Sequence, residues 1–249
     1  MANENIFTAK ADSYLIGRPS YSPYAIDKIF SEMISCGKSA ADIGSGTGIL
    51  SKEFLIRGYD VFSVEPNAAM RTIAEKAYGA HKNFHSVAAS AENTGLGDGS
   101  ISLITAASSF HWFDVNKFYD ECKRILTFDG IVCILANERV YDSFTQKQHS
   151  VCQKYCNGFT SLSHGTKKIL QNADIFFKSK YAIEKFDFPL TYTKEKFIFR
   201  SLSSSYSPEK GSCEYYEYIK ELQALLDRTF IGDTVTIANN TVMLWGKLN

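Results

Sequence analysis

Neither sign of charge is in excess: Lys plus Arg number 27 and Asp plus Glu also 27, a formal net charge of zero. No global field draws such a chain to nucleic acid or to an anionic membrane, and neither is expected as a partner. No run approaches the ~20 apolar residues of a membrane span. Residues 1–10 lack the basic region followed by an apolar stretch that marks an exported protein, so the expected location is cytoplasmic. The six cysteines (Cys36, Cys122, Cys133, Cys152, Cys156 and Cys213) have no framework spacing, and a chain this long needs no staples; reduced thiols fit. His149, Cys152 and Cys156 share a helix face but have no fourth ligand at a recognisable spacing, so they read as packing and no metal is expected. No Gly-x-Ser-x-Gly elbow signals a hydrolase, and no basic aromatic stripe signals a nucleic-acid surface.

What is present is organised around Ala41-Asp42-Ile43-Gly44-Ser45-Gly46-Thr47-Gly48-Ile49-Leu50. A short apolar run meets an acid and then alternating glycines, which reads as strand, tight loop and helix. Glycine lets the backbone take positive φ and approach a ligand closely, because no Cβ intervenes. The helix opened by the loop has an amino end that favours negative groups. An ordinary strand-to-helix turn has the same local pattern, so the rest of the chain must decide.

Residues 59–64 form a second apolar strand ending on Glu65, Pro66 and Asn67. A carboxylate about twenty residues beyond the glycines, on the neighbouring strand, is placed to accept hydrogen bonds from both hydroxyls of a ribose. A helix over 68–77, a strand over 83–87, a polar loop through Ala91 and Glu92, and a strand over 101–106 follow. Alternating strands and helices with right-handed crossovers give a doubly wound, mostly parallel α/β sheet, Rossmann-like, whose ligands gather beyond the strands' carboxyl ends. The glycine loop, Glu65, the Glu92 loop and Ser108 all fall at that rim. Asp114 is placed to cap a helix over 115–126, Asp129-Gly130 to turn into a strand over 131–136. A further strand is expected over 181–188, helices over 193–203 and 215–229, and a hairpin over 234–247 turning at Asn239-Asn240, so that late antiparallel strands complete the sheet.

A single domain is expected: residues 1–36 as an amino-terminal lid and helix, 37–137 as the cofactor-binding core, 138–180 as a helical cap over the strand ends, and 181–249 completing the sheet. In the amino-terminal arm, Tyr14 and Arg18 are candidates for closing over a ligand, although a strap burying its rings on the core fits the composition equally.

The third glycine, Gly48, comes one place too early for a dinucleotide fingerprint, and no Gly-Lys-Ser or Gly-Lys-Thr closes the loop as in a phosphate-loop NTPase. With Glu65, the Ala91-Glu92 loop and Phe110-His111-Trp112-Phe113-Asp114, the segment Asp42 to Gly48 resembles the class I S-adenosylmethionine-dependent methyltransferases, and among them the small-molecule, trans-aconitate methyltransferase-like type. Residues 11–14 and 18–21 resemble that group's opening segment. The resemblance implies S-adenosylmethionine as cofactor. Asp42, Gly44, Ser45 and Gly46 are candidate cofactor-binding residues, the last three lying against the methionine part and ribose; Glu65 would hold the ribose hydroxyls; Pro66, Asn67 and Met70 would flank the adenine. Ala91 and Glu92 would meet the adenine's polar edge, Ala107 and Ser108 would line the floor, and Tyr14 with Arg18 would close from the amino-terminal side. Ser108 departs from the pattern, since relatives commonly carry glutamine there.

The activity implied is methyl transfer to a small-molecule acceptor, with His111 the candidate catalytic base. A non-catalytic S-adenosylmethionine-binding sensor and a nicotinamide oxidoreductase are the alternatives, the latter disfavoured by the glycine spacing. Neither the acceptor nor the oligomeric state can be read from the residues.

Overall fold

A computed structural model describes residues 18–32 and 37–248. Within it the chain divides into two compact units. The described part of one comprises residues 20–32, 37–137, 165–186 and 241–248; that of the other, residues 18–19, 138–164 and 187–240.

The larger unit is built on a seven-stranded sheet. Its elements are α1 (Pro23–Glu32), β1 (Ser39–Ile43), α2 (Ile49–Leu55), β2 (Asp60–Val64), α3 (Ala68–Tyr78), β3 (Phe84–Val87), β4 (Ile101–Ala107), α4 (Val115–Ile125) and β5 (Leu126–Arg139). It continues with α6 (His164–Phe177), β6 (Ala182–Asp187) and β9 (Asn239–Gly246), in the strand order β3-β2-β1-β4-β5-β9-β6. β1 pairs in parallel with β2 and β4, β2 with β3, and β4 with β5. The sheet is mostly parallel with one antiparallel edge, as the alternation of strands and helices predicts.

The strands are apolar on both faces because both are covered. In β5, Val132, Ile134 and Ala136 point to one side, where α4 (Phe118, Cys122, Ile125) and α6 (Ile169, Ala173, Phe176) bury their stripes. Ile131, Cys133 and Leu135 point to the other, against α1 (Ala25, Ile26, Ile29) and α2 (Leu50, Phe54). The helix starts follow local chemistry: the side chains of Asn67 and Asp114 accept the Met70 and Lys117 amides at the first turns of α3 and α4.

Two expectations are corrected. The strand over 131–136 is part of the longer β5, which begins at Leu126, directly after α4. Ile101 pairs with Leu126 but Leu103 pairs with Ile131, so the residues around Asp129-Gly130 are taken up as an irregularity in the strand instead of a turn before it. The expected hairpin over 234–247 does not form either. β8 (Thr234–Ile237) pairs antiparallel with β7 (Leu190–Thr193), while β9 enters the large sheet. Each strand finds a longer-range partner that buries its apolar side, and this outweighs the local turn signal of Asn239-Asn240.

The smaller unit holds α5 (Ser143–Tyr155), β7, α7 (Lys194–Leu202), α8 (Cys213–Thr229) and β8. Phe144, Phe197, Leu225, Val235 and Ile237 form one cluster, and Cys152, Cys156, Tyr218 and Leu222 another. Among the described residues no helix is long and apolar enough to cross a membrane.

Candidate active site

The rim of the sheet is assembled at the carboxyl ends of β1, β2 and β4. Gly44, Gly46 and Gly48 all adopt positive φ, at 65°, 58° and 79°. For Gly44 the absence of a side chain is also a packing requirement: a Cβ would lie 2.6 Å from the Ser109 Cβ, which itself is anchored by a hydrogen bond from its Oγ to the Ile43 carbonyl (2.8 Å). The loop is tied to the next strand by Gly44 and Ser45, whose amides donate to the Val64 carbonyl at 2.8 and 3.1 Å. Ser63 Oγ donates to Ser45 Oγ at 2.8 Å.

Glu65 bridges the two strand ends. One carboxylate oxygen accepts the Gly46 amide at 2.9 Å and the other the Asn67 amide at 2.8 Å. A carboxylate has about four acceptor positions, so fixing these amides leaves it able to take hydroxyl donors as well. Arg71 holds the turn from below, its Nη1 donating to the Glu65 and Pro66 carbonyls.

Asp42 lies beneath the loop. Its side chain is 1% exposed and accepts from Ser51 Oγ at 2.7 Å and Thr105 Oγ1 at 3.1 Å. Burial pushes its carboxyl up to about 6; the two hydroxyls pull the other way and the charge of Glu65 adds to the rise. Asp42 thus supports the loop through α2 and β4 with its side chain turned into the protein.

The remaining expected residues fall as follows. Met70 and Ala91 are buried, Pro66 is exposed, and the Asn67 side chain is engaged in capping α3. Glu92 Oε1 accepts the Asp114 amide at 3.0 Å, so the Glu92 loop and the start of α4 are joined. Ala107 and Ser108 end β4, and Ser108 has φ 57° without being glycine, a conformation that costs about 1–3 kcal/mol and tends to mark functional sites. His111 lies in the short 3₁₀ turn Phe110–Trp112, fixed by Phe110, which is fully buried against Phe118 and Phe176. The start of α6 lies close to the imidazole: a Cβ on Gly165 would sit 3.1 Å from His111 Cε1. Arg18 belongs to the smaller unit, where its Nη2 reaches the Ser203 carbonyl at 3.4 Å. Tyr14 lies outside the described residues.

Tyr21 was not singled out from the sequence as a site residue, yet its hydroxyl donates to Ser108 Oγ at 3.1 Å and its ring is 8% exposed. Its place in the arm Tyr21-Ser22-Pro23 was the available signal. Nothing local linked it to the end of β4.

A parallel sheet with this strand order, an alternating-glycine loop after β1 and an acid after β2 make a Rossmann-like arrangement suited to a nucleoside. Residues 41–134 match the family model described as a methyltransferase domain. It is 30% identical over 133 residues to an uncharacterized methyltransferase of Mycobacterium tuberculosis, covering 53% of this chain and 52% of that one. It is 29% identical over 119 residues to a candidate S-adenosylmethionine-dependent methyltransferase of Saccharomyces cerevisiae, covering 45% and 40%. The chain spans about half the length of the curated relatives it matches. A solved structure of a candidate type II methyltransferase from Anaeromyxobacter dehalogenans superimposes with a TM-score of 0.64 over 93% of this chain and 98% of that one; at 17% identity this speaks for the fold alone. None of these likenesses singles out the trans-aconitate subtype.

The residues present fit S-adenosylmethionine, the cofactor named for the Saccharomyces cerevisiae relative. The loop exposes backbone where side chains would obstruct, and the buried Thr47 hydroxyl on that loop has no partner among the described residues. Glu65 supplies an acceptor at the ribose position.

Proposed function

We propose that this chain transfers the methyl group of S-adenosylmethionine to a small-molecule acceptor by in-line displacement. The observation that carries the reading is the Glu65 carboxylate pinned between the Gly46 and Asn67 amides beside the glycine loop. That arrangement pre-orients an acceptor for a vicinal diol.

In this reading Gly44, Ser45 and Gly46 bind the methionine part and ribose through their backbone, and Glu65 holds the ribose hydroxyls. Pro66, Asn67 and Met70 flank the adenine, with Ala91 and Glu92 at its polar edge; Ala107 and Ser108 form the floor. Asp42 acts at one remove, by holding the loop. S-adenosylmethionine, when bound, supplies a methyl group already activated by its sulfonium. The protein's work is therefore alignment and exclusion of water. Phe113 and Trp112 offer ring faces that favour a nearby cation by about 0.5–2 kcal/mol each. His111 removes the proton of a hydroxyl, amine or thiol acceptor; for a carboxylate acceptor it only positions.

Calorimetric titration with S-adenosylmethionine, followed by release of labelled methyl across an acceptor library, tests the proposal. Saturable binding and turnover that is abolished in Gly46→Arg are expected. Absence of binding at millimolar cofactor overturns it.

A further inference from the structure

The smaller unit buries positive charge without a counter-ion. Arg139, at the end of β5, is 7% exposed. Its Nη2 donates to Gln148 Oε1 at 3.1 Å, but its Nε and Nη1 have no hydrogen-bond partner among the described residues. Arg200, on α7, leaves its Nε in the same state, and so do the Tyr192 and Thr145 hydroxyls.

These groups converge from four elements. Arg139 stands over the Phe197 ring, 5.5 Å from its centroid, and Arg200 over Tyr192, at 5.9 Å. Tyr192 and Phe197 are themselves in edge contact at 6.2 Å. Thr145 shares the α5 face with Gln148, three residues on. No carboxylate among the described residues lies within ion-pair distance of either guanidinium. The charge of Asp142 reaches Arg139, and its Oδ1 is occupied in capping α5, accepting the Thr145 amide at 2.7 Å.

Buried cations are ordinarily paired, and buried donors are ordinarily satisfied. Two arginines, a tyrosine and a threonine that each leave a buried polar atom without a hydrogen-bond partner among the described residues describe a site built for something absent from the chain itself. We propose that Arg139 and Arg200 form the recognition site for an oxyanion, a carboxylate or phosphate group, on a small-molecule ligand, with Tyr192 and Thr145 as additional hydrogen-bonding groups. Because the Phe197 ring covers one face of the Arg139 guanidinium, the anion meets it edge-on, the geometry in which arginine binds planar or tetrahedral oxyanions most specifically. Burial and the neighbouring charge of Arg200 hold the Arg139 guanidinium down to about 9, so it remains protonated at neutral pH and both charges stand unneutralised until an anion enters.

The anion site does not rest on the methyl-transfer reading. The full chain is titrated by calorimetry and thermal unfolding with inorganic phosphate, acetate and succinate, and with succinamide as the neutral isostere. Succinate or phosphate, but not succinamide, is expected to bind and raise the melting temperature. The anion that saturates at lower concentration identifies the group recognised. Affinity is expected to fall at least tenfold in Arg139→Gln and in the less buried Arg200→Gln, with partial recovery in Arg139→Lys.

Equal binding of succinamide, unchanged affinity in a folded Arg200→Gln, or no response to either anion overturns the proposal. S-adenosylmethionine affinity is measured on the same variants and is expected to be unchanged. Lost anion binding with intact cofactor binding, or the reverse, separates failure of one reading from failure of the other.

Discussion

Replacing Asp42 by asparagine isolates the charge buried beneath the glycine loop. In the folded chain this carboxyl is pushed up to about 6 by burial, against an ordinary value of 3.8, despite the hydroxyls of Ser51 and Thr105 that donate to it. Below 3.8 it is protonated in both the folded and unfolded chains. Between 3.8 and about 6 the folded chain keeps a proton that the unfolded chain has lost, so stability falls as pH rises through this window. Above about 6 both are ionised and the loss is complete. The rise in pKa corresponds to ~3 kcal/mol. The asparagine does not titrate. Its amide can be met by the Ser51 hydroxyl, which can rotate from donor to acceptor, so any cost of the substitution is the same at every pH. Denaturant unfolding of both proteins at about pH 4, 5, 6 and 7 gives the stability difference as a function of pH. The wild type is expected to lose ~2.5 kcal/mol relative to Asp42→Asn across that range, and little further above it. A difference that stays constant within about 0.5 kcal/mol would refute the buried, neutral-at-low-pH carboxyl.

Glu65→Ala removes the acceptor of the Gly46 and Asn67 amides, and with charge-assisted bonds worth about 1.5–3 kcal/mol it is expected to weaken S-adenosylmethionine binding by at least about tenfold in calorimetry; undiminished affinity counts against the ribose role. Gly44→Ala forces a Cβ to 2.6 Å from Ser109 in a left-handed backbone, and thermal unfolding is expected to report a loss of about 1–3 kcal/mol. Tyr21→Phe deletes the hydrogen bond to Ser108 and is expected to cost about 1 kcal/mol in denaturant unfolding, with a null effect showing that the contact does no stabilising work. Gly165→Ala presses on the His111 ring; methyl transfer should show a lower kcat with cofactor affinity unchanged, and an unaltered kcat would remove His111 from the reaction.

The nucleoside cradle was legible in the residues because its parts are local or regularly spaced. The alternating glycines must be followed by a helix, and a strand of ordinary length after that helix brings an acid to the neighbouring strand end. Asn67 and Asp114 announce their helices because a cap needs only the next three amides. The doubly wound sheet follows from element order, since right-handed crossovers leave little freedom in how successive parallel strands are laid down. The resemblance to methyltransferases rested on these same residues.

Contacts between distant segments were not legible. Asp129-Gly130 has the chemistry of a turn, yet pairing with β4 draws the flanking residues into one strand. Asn239-Asn240 reads as a hairpin, yet β8 pairs with β7, where the alternation of Leu190-Thr191-Tyr192-Thr193 runs for only four residues behind Pro189. Ser108 takes a left-handed backbone with no glycine to signal it, and Tyr21 meets it from a separate arm. Nothing local sets Arg139 and Arg200 apart from the other charged residues. The sequence by itself determined the strand–loop–helix that can bind a nucleoside and the acid beside it, because backbone geometry and hydrogen-bond capacity act over a few residues. Only the tertiary structure decided which strands pair across the chain and that Arg139 is buried beside a half-buried Arg200 with no counter-ion among the described residues, because burial and charge compensation depend on everything that surrounds a side chain.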